Sequence, residues 1–206
     1  MYDFTIVMAL VDYIPVLFFG AAALLLLGDL YNKMSRGAYA MFAAGAINIF
    51  CAGFLKATWK LLYAANICDF QALNTLFLPL QSIGFLLAGV GLICLFKKKN
   101  VVRSVAPVVF SGSFVFIMMM VAGLGAICSC LCILAAKMKK HWVMVLFILC
   151  FVASMGMGYM ASHDSTSAIV NWIEQSINCV GQGALFFGAL ALHKGGLKDF
   201  RLEKNV

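Results

Sequence analysis

Apolar residues dominate the chain in six long runs, which short polar or charged segments separate. The runs cover roughly residues 5–28, 38–62, 72–96, 113–136, 142–161 and 167–192. Each run is long enough for the roughly 20 residues with which an α-helix crosses the hydrocarbon core of a bilayer. The pattern therefore predicts an all-α polytopic membrane protein with six firm transmembrane helices and little chain outside the membrane.

The composition supports this interpretation and excludes an ordinary soluble domain. Hydrophobic residues make up 64% of the 206 residues and charged residues 11%, whereas soluble domains have about 45–50% apolar and about 25% charged residues. The start, Met1 to Phe4, lacks the basic region of a signal peptide, and no small-residue cleavage site follows, so we expect the first run to remain as a helix. The compact size favours a protein of the bacterial cytoplasmic (inner) membrane.

The net charge of +7 does not indicate a nucleic-acid partner, because Lys and Arg of membrane proteins concentrate in cytoplasmic loops. Thirteen basic residues lie in four segments, at positions 33–36, 97–103, 137–140 and 194–204. The remaining connections are neutral or acidic, with Asp3, Asp12, Asp69 and Asp164. We therefore expect the N-terminus outside and the C-terminus inside.

Six alternating crossings conflict with this charge distribution, because they place six of the basic residues inside and seven outside. One additional crossing between Arg103 and Lys137 brings all thirteen to the cytoplasmic side. We therefore prefer seven crossings in a 3+1+3 arrangement, in which residues 101–112 form a linker or a short extra helix. The alternative is a re-entrant or interfacial segment at the same place.

A weak internal repeat also indicates two three-helix units. QSIGFLLAGVGLICLFKK (81–98) and QSINCVGQGALFFGALALHK (175–194) share the letters QSI, a glycine at the matched positions 89 and 183, and a basic end. Many small transporters are built from such repeats. The predicted organisation is a first unit at 1–100, a linker at 101–112, a second unit at 113–194 and a basic cytoplasmic tail at 195–206.

Two resemblances are limited to single features of the chain. The 3+1+3 plan is similar to that of the sugar-transporting SWEET family, although Phe77-Leu-Pro-Leu-Gln81 only approximates the Pro-Gln motif of that family. The segment Trp172-Ile-Glu174 and the small residues at Ala44-Gly45 are similar to the six-helix urea and amide channel family. Neither resemblance assigns a role to a residue.

The last apolar run carries a stripe of polar residues. Asn171, Glu174, Gln175, Asn178 and Gln182 are spaced so that they share one face of a helix. Amides and a carboxylate that face lipid are costly, so this face must meet protein, water or a ligand. Earlier helices supply further polar residues, and the complete predicted ligand-binding or pathway set is Glu174, Gln175, Asn171, Asn178, Gln182, Gln81, Asn74, Lys56, Trp59 and Asn48.

Glu174 and Lys56 are the most informative members of this set. Each lies about eight residues from the predicted outer end of its span, which places both roughly 12 Å deep at about 1.5 Å per residue. We expect them to neutralise each other or to share a substrate or proton. The competing interpretation is structural, because buried amides often join helices in membranes, but an intramembrane carboxylate is a functional candidate by default.

Catalytic and metal-binding motifs are missing from the sequence. No HExxH, GxSxG or His pair at i, i+4 occurs, so we expect no enzyme, no cofactor and no metal site. CSCLC at 128–132 is interpreted as helix-packing residues rather than as a soft-metal site.

The sequence favours a small-molecule permease or channel, with coupling to protons or ions through the buried carboxylate. The alternative is a membrane receptor, sensor or accessory subunit that binds a ligand without transporting it, and an intramembrane enzyme ranks third. The expected partners are the lipid bilayer and a small-molecule substrate or ligand, and the chain is compatible with self-association into a homo-oligomer.

Overall fold

The computed structural model describes residues 4–96, 113–161 and 167–200, and the regular structure within these ranges is helical. The predicted linker at 101–112, the basic residues at 97–103 and the end of the predicted tail at 201–206 lie outside the described residues. The helices are α1 (Ile6–Val11), α2 (Tyr13–Leu30), α3 (Arg36–Ala64), α4 (Gln71–Thr75), α5 (Phe77–Phe96), α6 (Ser113–Lys137), α7 (His141–Ala161) and α8 (Ala168–Lys194).

Four helical segments within the described residues are long and apolar enough to cross a membrane. They are Ile6–Leu30, Arg36–Ala64, Gln71–Phe96 and Phe114–Lys137. The protein is therefore all-helical with four candidate membrane spans, as expected for an integral membrane protein. α7 adds a shorter apolar helix at His141–Met157, and α8 has sufficient length but carries the polar stripe.

Two of the apolar segments are interrupted near their N-terminal ends. Asp12 separates α1 from α2, and Leu76 separates α4 from α5. Pro15 and Pro79 follow as the third residue of α2 and of α5. Proline is tolerated in the first turn of a helix, where a backbone N–H has no intrahelical acceptor. Asp12 and Leu76 keep right-handed helical backbone angles, so each interruption is a local irregularity within one apolar segment.

The six long helices form a closed ring in which each packs against two neighbours. The order around the ring is α2, α3, α5, α6, α7 and α8, and α8 returns to pack against α2. The short helices α1 and α4 lie at one end, where α1 contacts α2 and α3 and α4 contacts α3 and α5.

Two neighbouring pairs in the ring run parallel, and the other pairs run antiparallel. α5 and α6 are parallel, because Gly123 lies against Phe85 and Ala126 lies against Gly89 further along both helices. α8 and α2 are parallel as well: Gly183 lies against Phe18, and His193 bonds to Asp29 further along both helices.

These directions bring the basic residues of the described loops to one end of the ring. α2, α5, α6 and α8 end, and α3 and α7 begin, at one end of the ring, which we call the basic end. It carries Lys33, Arg36, Lys137, Lys139, Lys140, Lys194 and Lys198. The opposite end, which we call the acidic end, carries Asp12 and Asp69, and Lys56 and Lys60 of α3 lie in the same half.

The ring is tightly packed in the half near the basic end. Leu30, Leu92, Leu131 and Leu192 are fully buried there. Leu197, which follows α8, is also fully buried. The described part of the predicted tail therefore packs on the bundle, and the Lys33 ammonium donates to the carbonyls of Lys198 and Phe200 at 2.9 and 2.6 Å.

Small residues allow the closest helix crossings. A Cβ atom at Gly123 of α6 would overlap the backbone of Phe85 and Leu86 in α5. A Cβ atom at Gly84 of α5 would lie 2.9 Å from the backbone of Gly45 in α3. Backbones approach this closely in membrane bundles only where a side chain is missing.

We expect Gly123→Ala to destabilise the bundle by about 1–3 kcal/mol, because the added methyl group has no space and α6 must move away from α5. Gly125→Ala is the matched control on the same helix, since its Cβ would meet Phe151 at an ordinary distance of 3.5 Å. Thermal unfolding of the purified variants in one detergent measures the difference. Equal midpoints for the two variants would contradict the close α5–α6 crossing.

Candidate functional site

The half of the ring near the acidic end encloses a cavity of about 490 Å³. All six long helices contribute residues to its wall. The interruptions at Asp12 and Leu76 lie beside it, because Asp12 and Phe77 both line the wall. The cavity therefore lies next to the two interruptions, in the half of the ring away from the tightly packed basic end.

The cavity brings together six of the ten side chains that the sequence predicted as a site. They are Lys56 of α3, Gln81 of α5, and Glu174, Gln175, Asn178 and Gln182 of α8. The polar face of α8 thus points into the ring, while Ile173 and Val180 on the same helix are exposed on the outside.

The other four predicted residues lie outside the cavity wall. Asn171 is buried, and its side-chain amide donates to the Ser167 carbonyl one turn earlier, at 3.0 Å. Asn48 and Asn74 are half-buried on α3 and α4. Trp59 is buried, and its indole N–H donates to Asp69 at 2.9 Å.

Trp59 and Gln71 together hold the connection between α3 and α4. Gln71 donates to the second carboxylate oxygen of Asp69 at 3.0 Å. The hydrogen bonds from Trp59 and then from Gln71 lower the pKa of Asp69 below its ordinary value, because both favour the ionised carboxylate. Trp59 therefore has a structural contact at the acidic end of the bundle.

An ion pair that the sequence analysis missed joins α3 to the start of α2. The Lys60 ammonium lies 2.7 Å from Asp12 Oδ2, and both side chains are largely buried at the cavity wall. Two signals pointed toward it: Asp12 is an isolated acid within an apolar run, and Lys60 lies one helical turn after Lys56. Sequence spacing alone does not show which carboxylate each lysine meets.

Lys56 has different surroundings from those expected. Its ammonium lies 4.2 Å from the centre of the Phe77 ring, within the range of a cation–π contact. Among the described residues, the direct ion pair of the cavity wall belongs to Lys60 and Asp12, in place of the expected pairing of Lys56 with Glu174. Glu174 still lines the same cavity and is near enough for its charge to act on Lys56.

Three buried oxygen atoms on α8 lack a hydrogen-bond donor within the described part of the chain. They are the Oε1 atoms of Glu174, Gln175 and Gln182. Gln175 uses its amide nitrogen, which donates to the Met8 carbonyl at 2.8 Å. A buried acceptor without a donor costs on the order of 1–3 kcal/mol. These atoms therefore require water or a ligand in the cavity.

The part of the cavity wall that α6 provides is apolar. α6 contributes only Ile117, Met120, Val121 and Leu124 to the cavity. Aromatic rings from three other helices complete this surface, namely Phe19, Phe50, Phe77 and Phe85. The cavity thus combines a few charged and amide groups with a larger apolar surface, which is the usual composition of small-molecule sites.

Comparison with protein-family models found no match, and comparisons with curated proteins and with solved structures found none either. The cavity and its chemistry therefore carry the functional argument.

We expect Asp12→Asn to destabilise the protein by about 3–5 kcal/mol, because it leaves the buried Lys60 ammonium without its partner. The double variant Asp12→Asn/Lys60→Met removes both charges and should recover a large part of that loss. Chemical or thermal unfolding of both proteins in the same detergent measures the difference. If the double variant were no more stable than Asp12→Asn alone, the proposed coupling of the two side chains would be wrong.

Proposed function

We propose that this protein is a small-molecule permease or channel whose intramembrane site is the cavity inside the helix ring. The observation that carries the proposal is the arrangement of Lys56, Glu174, Gln175 and Gln182 around a cavity to which all six long helices contribute. Unpaired polar groups at membrane depth are expensive and are typical of substrate pathways. Transporter sites commonly lie between helix bundles in this way.

We further propose seven crossings in the 3+1+3 arrangement, with the basic end in the cytoplasm and the N-terminus outside. The parallel directions of α5 and α6 support it, because α5 ends at the basic end and α6 begins at the acidic end. In this proposal the additional crossing is assigned to residues 101–112, which lie outside the described residues. The basic residues of the described loops all lie at one end of the ring, in agreement with the positive-inside rule.

The proposed duplication of three helices has support at the cavity. Gln81 and Gln175, the first letters of the two QSI segments, both line the cavity wall. The serines that follow, Ser82 and Ser176, each donate to the carbonyl four residues earlier, at 2.7 and 2.8 Å. In this proposal α2, α3 and α5 form one unit, and α6, α7 and α8 form the other.

In the proposed transport cycle, the structure corresponds to a state that is closed toward the cytoplasm. The half of the ring near the basic end is packed with buried leucines, and Lys140, which precedes α7, donates to the Ala191 carbonyl of α8 at 3.1 Å. Asp29 of α2 also bonds to His193 of α8, at 2.9 Å. Transport requires a second state in which these contacts open, as in alternating access.

The same closed half favours one alternative, a receptor or accessory subunit that binds its ligand from the outer side and does not release it inside. The binding site is identical in both proposals. Only movement of the ligand across the bilayer distinguishes them.

We expect Gln81→Cys to react with a membrane-impermeant methanethiosulfonate added to the outer face of right-side-out vesicles. A cysteine there faces the polar cavity, where its thiolate can form. Ile83→Cys on the same helix is the matched control, because Ile83 is exposed on the outside of the ring, where hydrocarbon suppresses the thiolate. Both variants carry serine at the exposed Cys51 and Cys68. Equal labelling of the two positions would contradict a water-filled cavity.

We expect proteoliposomes to exchange at least one member of a radiolabelled panel of leucine, phenylalanine, choline, lactate and glucose in counterflow. Glu174→Gln should lower that exchange about 10-fold or more, since a hydrogen bond to a charged group contributes about 1.5–3 kcal/mol. Ser176→Ala on the same helix is the control, because Ser176 is exposed outside the ring. Stoichiometric binding of a panel member without exchange would overturn transport and support the receptor.

A further inference from the structure

We infer that the cavity binds a small zwitterion, a molecule with one ammonium group, one carboxylate group and an apolar side group. The inference rests on the proposed function only in taking the cavity as the binding site, and it names the chemical class of the ligand.

Four charged side chains line the cavity: Asp12, Lys56, Lys60 and Glu174. Asp12 and Lys60 lie 2.7 Å apart and compensate each other. One cation and one anion then remain, Lys56 on α3 and Glu174 on α8. Lys56 lies against the Phe77 ring, and Glu174 Oε1 has no hydrogen-bond donor among the described residues.

A ligand of this class satisfies both remaining charges at once. Its ammonium group pairs with Glu174, and its carboxylate pairs with Lys56. A cationic ligand leaves Lys56 without a counter-charge, and an anionic ligand leaves Glu174 without one. Leaving a charge uncompensated in a region of low dielectric is unfavourable. The neutral zwitterion keeps the total charge of the occupied cavity at zero.

The hydrogen-bonding groups match this assignment. An ammonium group has three donors, and the adjacent residues Glu174 and Gln175 each present a buried Oε1 that needs one. The Lys56 ammonium is a donor only, so it requires an acceptor such as a carboxylate. Gln182 lies two helical turns deeper, and we assign it no contact with either charged group of the ligand.

The apolar wall selects the rest of the ligand. Ile117, Met120, Val121 and Leu124 of α6 offer no polar side-chain atom other than a thioether sulfur. A hydroxylated side group would lose its hydrogen bonds to water against this wall. An aliphatic or aromatic side group gains from burial there, and the flexible methionine adapts to its shape.

The test is equilibrium binding to the purified full-length protein in lipid nanodiscs, with three probes that share the same phenylethyl group. Phenylalanine carries both charges, phenethylamine lacks the carboxylate, and 3-phenylpropionate lacks the ammonium group. We expect the wild-type protein to bind phenylalanine about 10-fold or more tightly than either analogue, which corresponds to about 1.4 kcal/mol for each lost ion pair.

Two variants make the assignment specific to the charges. Glu174→Gln should weaken phenylalanine and phenethylamine binding about 10-fold, with 3-phenylpropionate changing less than about 3-fold. Lys56→Met should give the opposite pattern, weakening phenylalanine and 3-phenylpropionate. Ser176→Ala, exposed on the outside of α8, should leave all three affinities unchanged. A general loss of folding lowers all affinities together and does not produce these crossed patterns.

Several results would overturn the inference. Equal affinity of the wild-type protein for phenethylamine and phenylalanine would show that the carboxylate is not recognised. Binding of none of the three probes would exclude the class. If a variant fails to fold, Glu174→Asp and Lys56→Arg replace it. These variants keep the charges and should bind phenylalanine more tightly than either analogue, as the wild-type protein does. The comparison of the three probes on the wild-type protein does not depend on any variant.

The experiment separates this inference from the proposed function. Saturable phenylalanine binding with no counterflow in proteoliposomes leaves the zwitterion site intact and contradicts transport. Counterflow of choline or glucose with no phenylalanine binding supports transport and contradicts the zwitterion site.

Discussion

The polar face of α8 is the constraint on which the arrangement of the other helices depends. Its carboxylate and amides cannot face hydrocarbon without a cost of several kcal/mol, so the helix must turn them inward. The ring supplies that interior, because α8 packs between α7 and α2 while Ile173 and Val180 remain outside. The closure of the ring by α8 therefore follows from the same residues that make its interior polar.

The bundle consists of a tightly packed half near the basic end and a half near the acidic end that contains the cavity. Glycines at the crossings of α3, α5 and α6 bring these helices into close contact. Near the acidic end, α1 and α4 are separate short helices, and the interruptions after them lie beside the cavity. Close glycine crossings and fully buried leucines thus occupy one half, and the cavity occupies the half that contains the interruptions.

The charges in the cavity have two different relationships to the fold. Asp12 and Lys60 form a direct pair that joins the start of α2 to the end of α3, so removing one partner affects stability. Lys56 and Glu174 lack such a pair among the described residues, and their unsatisfied interactions are available to a ligand. Stability thus depends on Asp12 and Lys60, and the proposed binding depends on Lys56 and Glu174. Substitutions in one pair can therefore be compared with substitutions in the other.

The sequence by itself determined the helical class and the presence of helices long enough to cross a membrane, because runs of apolar residues directly reflect the thickness of a bilayer. It did not show that α1 and α4 are separate from α2 and α5. It also identified the face of α8 that turns inward, since helical periodicity places its polar residues together. Only the tertiary structure decided which helices are neighbours, and hence that Lys60 rather than Lys56 meets a carboxylate and that Trp59 bonds to Asp69 outside the cavity. Which side chains on different helices meet depends on the rotation and direction of each helix in the ring. Helix packing determines this rotation and direction, and it leaves no periodic pattern in the sequence.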